Sequence, residues 1–293
     1  MDDEFKSELG NRIKELRELH ESSLEEVAEA ADIHRTTLGK IERGEREPSL
    51  SIAMRIAEAL DITITELTNP ESFRTANREY VIEDADILEE VPFDSSAILN
   101  GVEEIYENLD TIDFALRRRG LDPLAEQFDE YAALSTVIGE FFASGVAGAS
   151  DGLYRVNAGN FPDLISSGKQ SGVPGIEVKM AMEDNQPKGH IAKPGMYVVV
   201  RYVLGGRDRS YERGERKDTP WVWEVRMGEM EKEQFNESDT EGDSGKTATF
   251  TADALWDFDC LYLDPELIPY TRSYYKKKNG DVLRSVMNQQ QLS

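Results

Sequence analysis

The sequence predicts two folded parts of different class: an all-α N-terminal domain of five helices, then an α/β domain with a mixed central sheet. Three observations carry that expectation. From Leu9 to Leu67, apolar residues recur at three- and four-residue spacing with only short polar breaks. The stretch "NPESFRTANREYVIEDADILEEVPFDSS" combines prolines, dense charge and little periodicity, which reads as a linker. After Pro123 a long apolar-striped helix precedes a series of short apolar runs separated by turns. The expected division is 1–69, a linker at 70–95, an α/β domain with a helical lead-in at 96–275, and a polar tail at 276–293.

In the first part, "LGNRIKELREL" sets Ile13, Leu16 and Leu19 on one helical face. Ser23, with Glu26 three residues later, forms a capping box that opens a second helix. Val27, Ala28 and Ala31 make its inner face, and the small alanines admit a crossing helix. Asp32 occupies a turn position that needs tolerance of left-handed geometry. A third helix, "HRTTLGKIE", turns Leu38 and Ile41 inward and ends at Gly44. Pro48 and Ser49 lead into "IAMRIAEALDITITEL", which reads as two more helices.

The segment "SLEEVAEAADIHRTTLGKIERGEREPSL" with the following "IAMRIAEALDITITEL" resembles the Cro/repressor class of helix-turn-helix domain, over about a quarter of the chain. Asp32 stands where that class more often has glycine, and Gly39 loosens the third helix. The resemblance implies that the third helix enters the DNA major groove. Arg35, Thr36 and Lys40 then face base edges, and His34 and Arg43 lie near phosphates. Arg35 or Lys40 suits guanine, and Thr36 suits a thymine methyl or a single hydrogen bond. The competing expectation is a dimerisation or scaffold module, favoured by Glu25, Glu26, Glu29, Glu45 and Glu47 around the helix.

Composition narrows the classes. A net charge of −25 opposes a polyanionic partner unless charge is unevenly distributed or the working solution is very salty. Cys260 is the single cysteine, which excludes an intrachain disulfide and a multi-cysteine zinc site. His20, His34 and His190 show no ligand spacing, so no zinc is expected. No stretch reads as a membrane span and "MDDEFKSELGN" lacks the features of a secretion signal, so a cytoplasmic location without a membrane partner is expected.

In the second part, "SAILNGVEEIYENLDTIDFALRRRG" carries Ile98, Val102, Ile105 and Leu109 at helical spacing, with arginines at its C-terminal end. "LAEQFDEYAALSTVIGEFF" follows, striped by Phe128, Tyr131, Leu134, Ile138, Phe141 and Phe142. Strands are expected at "GLYRVNAGN", "FPDLI", "GIEVKM", "GMYVVVRYVLGG" and "WVWEVRMGEM", then a short helix at "TADALWDF" and a last strand at "CLYLD". The acidic "EKEQFNESDTEGDSGK" reads as a mobile excursion. Its "GDSG" imitates a self-cleaving peptidase, but Ser244 sits in a hydrophilic loop without a lysine held in a dry site.

Charges inside two of these strands ask for an explanation. Residues two apart share a sheet face, so Glu177 and Lys179 are neighbours, and Asp163 joins them if the two strands pair. Two carboxylates at one sheet end repel unless a divalent cation lies between them, and oxygen ligands suit Mg2+ or Mn2+. Pro162-Asp163 followed by Glu177-Val178-Lys179 resembles the motif of the PD-(D/E)xK nuclease superfamily. The resemblance implies a restriction-endonuclease-like fold and a metal-dependent endodeoxyribonuclease that hydrolyses phosphodiester bonds. Asp163 and Glu177 then hold the metal and Lys179 orients water or neutralises developing charge. The family often adds a glutamate from the first helix; Glu130 borders the apolar stripe and is preferred to Glu140. Double-strand cleavage implies a homodimer. Lys188 and His190 are expected in a loop between strands. The alternative is a transcriptional regulator whose C-terminal domain senses or dimerises.

Overall fold

The computed structural model describes residues 3–20, 22–60, 62, 64–68, 74–117, 119–189, 192–238 and 247–289. They form two compact units, Met1–Thr75 with Asp110–Arg118 and Ala76–Leu109 with Arg119–Ser293.

The first unit contains the five expected helices: α1 (Asp3–Leu19), α2 (Leu24–Ala30), α3 (Arg35–Glu42), α4 (Leu50–Ala59) and α5 (Ile64–Thr68). Local chemistry sets their ends. The Ser23 side chain accepts the Glu26 N–H while Glu26 reaches back to the Ser23 N–H, so the capping box is complete. Asp32 adopts φ 48 in the turn and Gly44 adopts φ 68 after α3. Ser49 accepts the Ile52 N–H and opens α4. Ile13, Ala31, Leu38, Ile41 and Ile56 are essentially fully buried in one core. The side chain of Leu19 lies outside the described residues.

Two contacts bind α1 to α3. Arg17 forks onto Glu42, with Nε 2.7 Å from Oε1 and Nη2 3.1 Å from Oε2. Gly10 lies so close to α3 that a Cβ there would stand 2.3 Å from the Ile41 carbonyl oxygen. Gly10→Ala should therefore push α1 outward and cost about 1–3 kcal/mol, measured by urea unfolding of the variant and wild type.

The second unit is an α/β assembly on a six-stranded mixed sheet. Its elements are α6 (Ser95–Arg117, whose last residues group with the first unit), α7 (Tyr131–Ala149), β1 (Tyr154–Val156), β2 (Leu164–Ser166) and β3 (Ile176–Met182). Then come β4 (Lys188–Gly189), β5 (Gly195–Gly205), β6 (Thr219–Met230), β7 (Phe235–Ser238) and β8 (Thr247–Phe250). The chain ends with α8 (Ala254–Asp257), β9 (Asp259–Leu263) and α9 (Arg272–Gln289). The sheet order is β1-β2-β3-β5-β6-β9, antiparallel throughout except for β3 beside β5, and β4-β8-β7 form a small second sheet. β5 and β6 are buried along almost their whole length. Tyr197, Val199, Met230, Phe250, Ala254, Leu255 and Phe258 pack α8 and the second sheet onto the central one.

Four sequence expectations change here. Residues 76–95 are packed into this unit: Val81 bridges Tyr262, the Ile82 N–H donates to Leu261 O, and Tyr80, Val81 and Ile87 are buried. They occupy hydrogen-bonding groups at the β9 edge, a pairing with no local periodicity to announce it. The polar tail is helical to Gln289, because Tyr275, Leu283 and Val286 give α9 a buried side. Part of the acidic excursion, Phe235–Ser238, is strand β7 and pairs with β8 just beyond it, and "GDSG" falls outside the described residues. Finally, α7 is long and apolar enough by composition to cross a membrane. Leu134, Ile138 and Phe142 are buried, and the helix packs against β1 and β3 as a core helix does.

Candidate functional site

Asp163 heads β2, and Glu177 and Lys179 lie on β3. Two turn features hold this region. The Asn157 N–H donates to Asp163 O at 2.7 Å, and the Asn157 amide donates to Pro162 O at 3.0 Å. Gly175 leaves room for Pro162, whose Cγ would be 2.4 Å from a Cβ at that position. The three predicted residues are brought together. Lys179 Nζ is 2.5 Å from Glu177 Oε1, and Asp163 Oδ2 accepts the Val178 N–H at 2.8 Å.

These bonds add partners that strand periodicity alone does not give. The Val178 amide serves Asp163 and the Lys179 ammonium pairs with Glu177, so each carboxylate has a partner of its own on β3. One atom is left over: Glu177 Oε2 is buried and has no hydrogen-bond partner among the described residues. Burial raises the Glu177 carboxyl above its ordinary value; Lys179 opposes that shift and Asp163 reinforces it. Burial likewise raises the Tyr197 phenol, with Glu177 and Asp163 adding to the effect.

A carboxyl whose pKa rises on folding holds its proton more tightly in the folded state. Its contribution favours folding below the ordinary value of 4.5 and is lost as pH climbs through the raised folded value. Glu177→Gln should therefore flatten the fall in stability above pH 4.5, as followed by thermal unfolding across pH.

A cavity of about 600 Å³ opens between α7 and β3, lined among others by Thr136, Glu140, Asn157, Asp163, Lys179 and Lys188. Glu177 is not among its lining residues. Gly139 lets α7 approach Met180 of β3, 3.3 Å from where a Cβ would stand, and this carries the adjacent Glu140 to the cavity. Glu130 precedes the helix as its exposed N-cap residue, about 15 Å away along the axis for ten residues. The preference for Glu130 is thus corrected, since the helix begins only at Tyr131. Among the described residues no group of three or more His, Cys, Asp or Glu is arranged to hold a metal ion. His190 lies outside the described residues, whereas Lys188 starts β4 at the cavity edge.

The second locus is α3. Arg35, Thr36, Lys40 and Arg43 are exposed, with Leu38 and Ile41 turned into the core. His34 has a role unforeseen from the sequence: its Nδ1 accepts the Thr36 N–H at 3.2 Å and caps the helix. The same nitrogen lies 2.8 Å from the Thr36 hydroxyl. Arg35 pairs with Glu25 at 3.0 Å and Arg43 with Glu45 at 2.7 Å, both on the surface. Such exposed pairs are weak.

The family model HTH_3, Helix-turn-helix, matches residues 13–67. Control protein C.SmaI of Serratia marcescens is 33% identical over 64 residues, spanning 22% of this chain and 76% of that protein. YazB of Bacillus subtilis (strain 168), an uncharacterized HTH-type transcriptional regulator, is 42% identical over 62 residues, spanning 21% and 90%. The chain belongs to the HTH_3 helix-turn-helix family. A solved structure, the restriction-modification controller protein C.AhdI from Aeromonas hydrophila, is 38% identical over 21% of this chain and 92% of that one, with a TM-score of 0.21.

The HTH_3 match spans α2, α3 and the turn between them, so the five predicted DNA-facing residues fall inside it. The acidic cluster of Asp163, Glu177 and Lys179 lies beyond it.

Proposed function

We propose that the protein is a DNA-binding transcriptional regulator that reads duplex sequence with α3 and acts as a homodimer. One observation carries this: within a helix-turn-helix unit, α3 keeps a solvent-facing row of Arg35, Thr36 and Lys40 on a firm buried base. The names of two relatives, a control protein and an HTH-type transcriptional regulator, support it. Selection of bound duplexes from a random pool tests the reading. The expected result is a motif with two half-sites; retention of unenriched sequences overturns it. Arg35→Ala with Lys40→Ala should cost about 1–3 kcal/mol per lost base contact and erase the motif.

The acidic cluster favours a second reading, a metal-dependent endodeoxyribonuclease. Its support is the succession of α7, β1, β2 and β3, with Asp163 at the head of one strand and Glu177 and Lys179 on the next. The unpartnered Glu177 Oε2 is the observation that suits a cation. In this reading Asp163 and Glu177 hold Mg2+ or Mn2+, an ion content with one or two carboxylates plus phosphate oxygens and water. When bound, the ion supplies Lewis-acid stabilisation of phosphoryl charge. Lys179 contributes an ammonium at the cavity wall, where it can orient water or meet a phosphate oxygen.

A further inference from the structure

α9 concentrates positive charge in a strongly acidic chain. Arg272, Lys276, Lys277, Lys278 and Arg284 face a single carboxylate, Asp281, on the same helix, whereas the whole protein carries −25. The helix is locked from its inner side. Tyr275 is fully buried and its hydroxyl donates to Glu224 Oε1 at 2.6 Å, and Leu283 and Val286 are buried as well.

Midway the backbone breaks helical geometry at Asn279, with φ −144 and ψ 45. A concave notch of about 270 Å³ opens at the break, lined by Lys276, Lys277, Lys278, Asn279, Asp281 and Arg284. Lys278 pairs with Asp253 at 3.2 Å, and Arg284 pairs with Asp281. Lys276 and Lys277 are exposed and have no ion-pair partner among the described residues.

We propose that this face of α9 holds the phosphate backbone of duplex DNA, a sequence-independent contact separate from α3. Cations fixed on a docked helix lose little freedom on binding, and each phosphate they neutralise releases condensed counterions. The notch is concave, as a site for a tetrahedral oxyanion should be. A membrane surface fits less well, because Leu283 and Val286 are buried and Tyr274 is a lone exposed large apolar side chain on this helix among the described residues, not a stripe. The inference does not rest on the regulator reading, since it requires only that the C-terminal unit meet a polyanion.

The test uses the full chain and a labelled duplex of random sequence, followed by fluorescence anisotropy between 50 and 200 mM salt. Lys276→Ala with Lys277→Ala should weaken binding about tenfold at 50 mM and reduce the salt slope by about 2. Charge reversal at both positions should do more. The thermal unfolding midpoint should stay put, because both side chains are exposed. The loss should recur in an Arg35→Ala/Lys40→Ala background. Unchanged affinity and slope overturn the proposal, as does binding of phosphatidylserine vesicles through these lysines without binding of DNA. If the α3 variant alone removes all random-sequence binding, α9 is excluded while the regulator reading stands. If no motif is ever selected but the α9 dependence persists, the regulator reading falls and this one remains.

Discussion

Glu224→Ala should destabilise the C-terminal unit by about 3–5 kcal/mol, the cost of breaking a buried ion pair from one side. Glu224, Arg201 and Arg226 are all fully buried. The carboxylate lies 2.9 Å from Arg201 Nη1 and 2.9 Å from Arg226 Nε, and accepts the Tyr275 hydroxyl. Trp223 lies 4.3 Å beneath the Arg201 guanidinium, and Trp256 lies 5.0 Å from that of Arg226. Removing the carboxylate leaves two guanidiniums in an aromatic box with no other ion-pair partner among the described residues.

Burial alone would raise the Glu224 carboxyl, but Arg226 and Arg201 more than offset it and hold it below its ordinary value. A lowered folded pKa gives stability that is present above the ordinary value of 4.5 and lost as pH falls through the folded one. The variant should therefore lose most stability at neutral pH. All three tryptophans, Trp221, Trp223 and Trp256, belong to this unit, so urea unfolding followed by their fluorescence reports it selectively. A change below about 1 kcal/mol, the size of an exposed pair, would show that the network does not hold the sheet to α9.

Lys179→Met should reduce Mg2+-dependent nicking of plasmid DNA by about 10²–10³-fold if the nuclease reading is right. Asp163→Asn should abolish Mg2+- or Mn2+-dependent nicking, because an asparagine at that position offers the ion one uncharged oxygen. Neither change touches α3, so binding to a selected duplex should survive in both variants. Glu140→Gln should weaken cleavage more than Glu130→Gln, since only Glu140 lines the cavity. If wild-type protein leaves methylated, unmethylated and branched DNA intact in low and high salt with either ion, the cluster is structural. Asp163 then serves as the bond that ties β2 to the Val178 amide, and the regulator reading stands alone.

Much of the architecture was legible because it rests on short-range rules. The Ser23–Glu26 box, the left-handed Asp32, the Gly44 stop and the Ser49 cap each involve residues within a few positions. The succession of one helix, five strands, a short helix and a last strand was readable from apolar runs, while the three small strands β4, β7 and β8 were not. They are two to four residues long, and pairing in the order β4-β8-β7 rather than composition makes them strands. Within the cluster, the side-by-side placement of Glu177 and Lys179 followed from strand periodicity. The choice between Glu130 and Glu140 did not, because it depended on where α7 begins and on its close approach to β3 at Gly139.

The sequence by itself determined the helix-turn-helix unit, the α/β succession and the candidate residues in both, since helical period, strand alternation and capping are contacts between near neighbours. Only the tertiary structure decided which charges are partners. Arg201 and Glu224 are 23 residues apart and meet through the register of β5 on β6, and Tyr275 reaches them from α9. Asp163 accepts an amide N–H from the next strand, and one oxygen of Glu177 has no hydrogen-bond partner among the described residues. The physical reason is that a charge acquires its meaning from burial and from what the sheet register brings opposite it, and neither is encoded within a few residues of the charge itself.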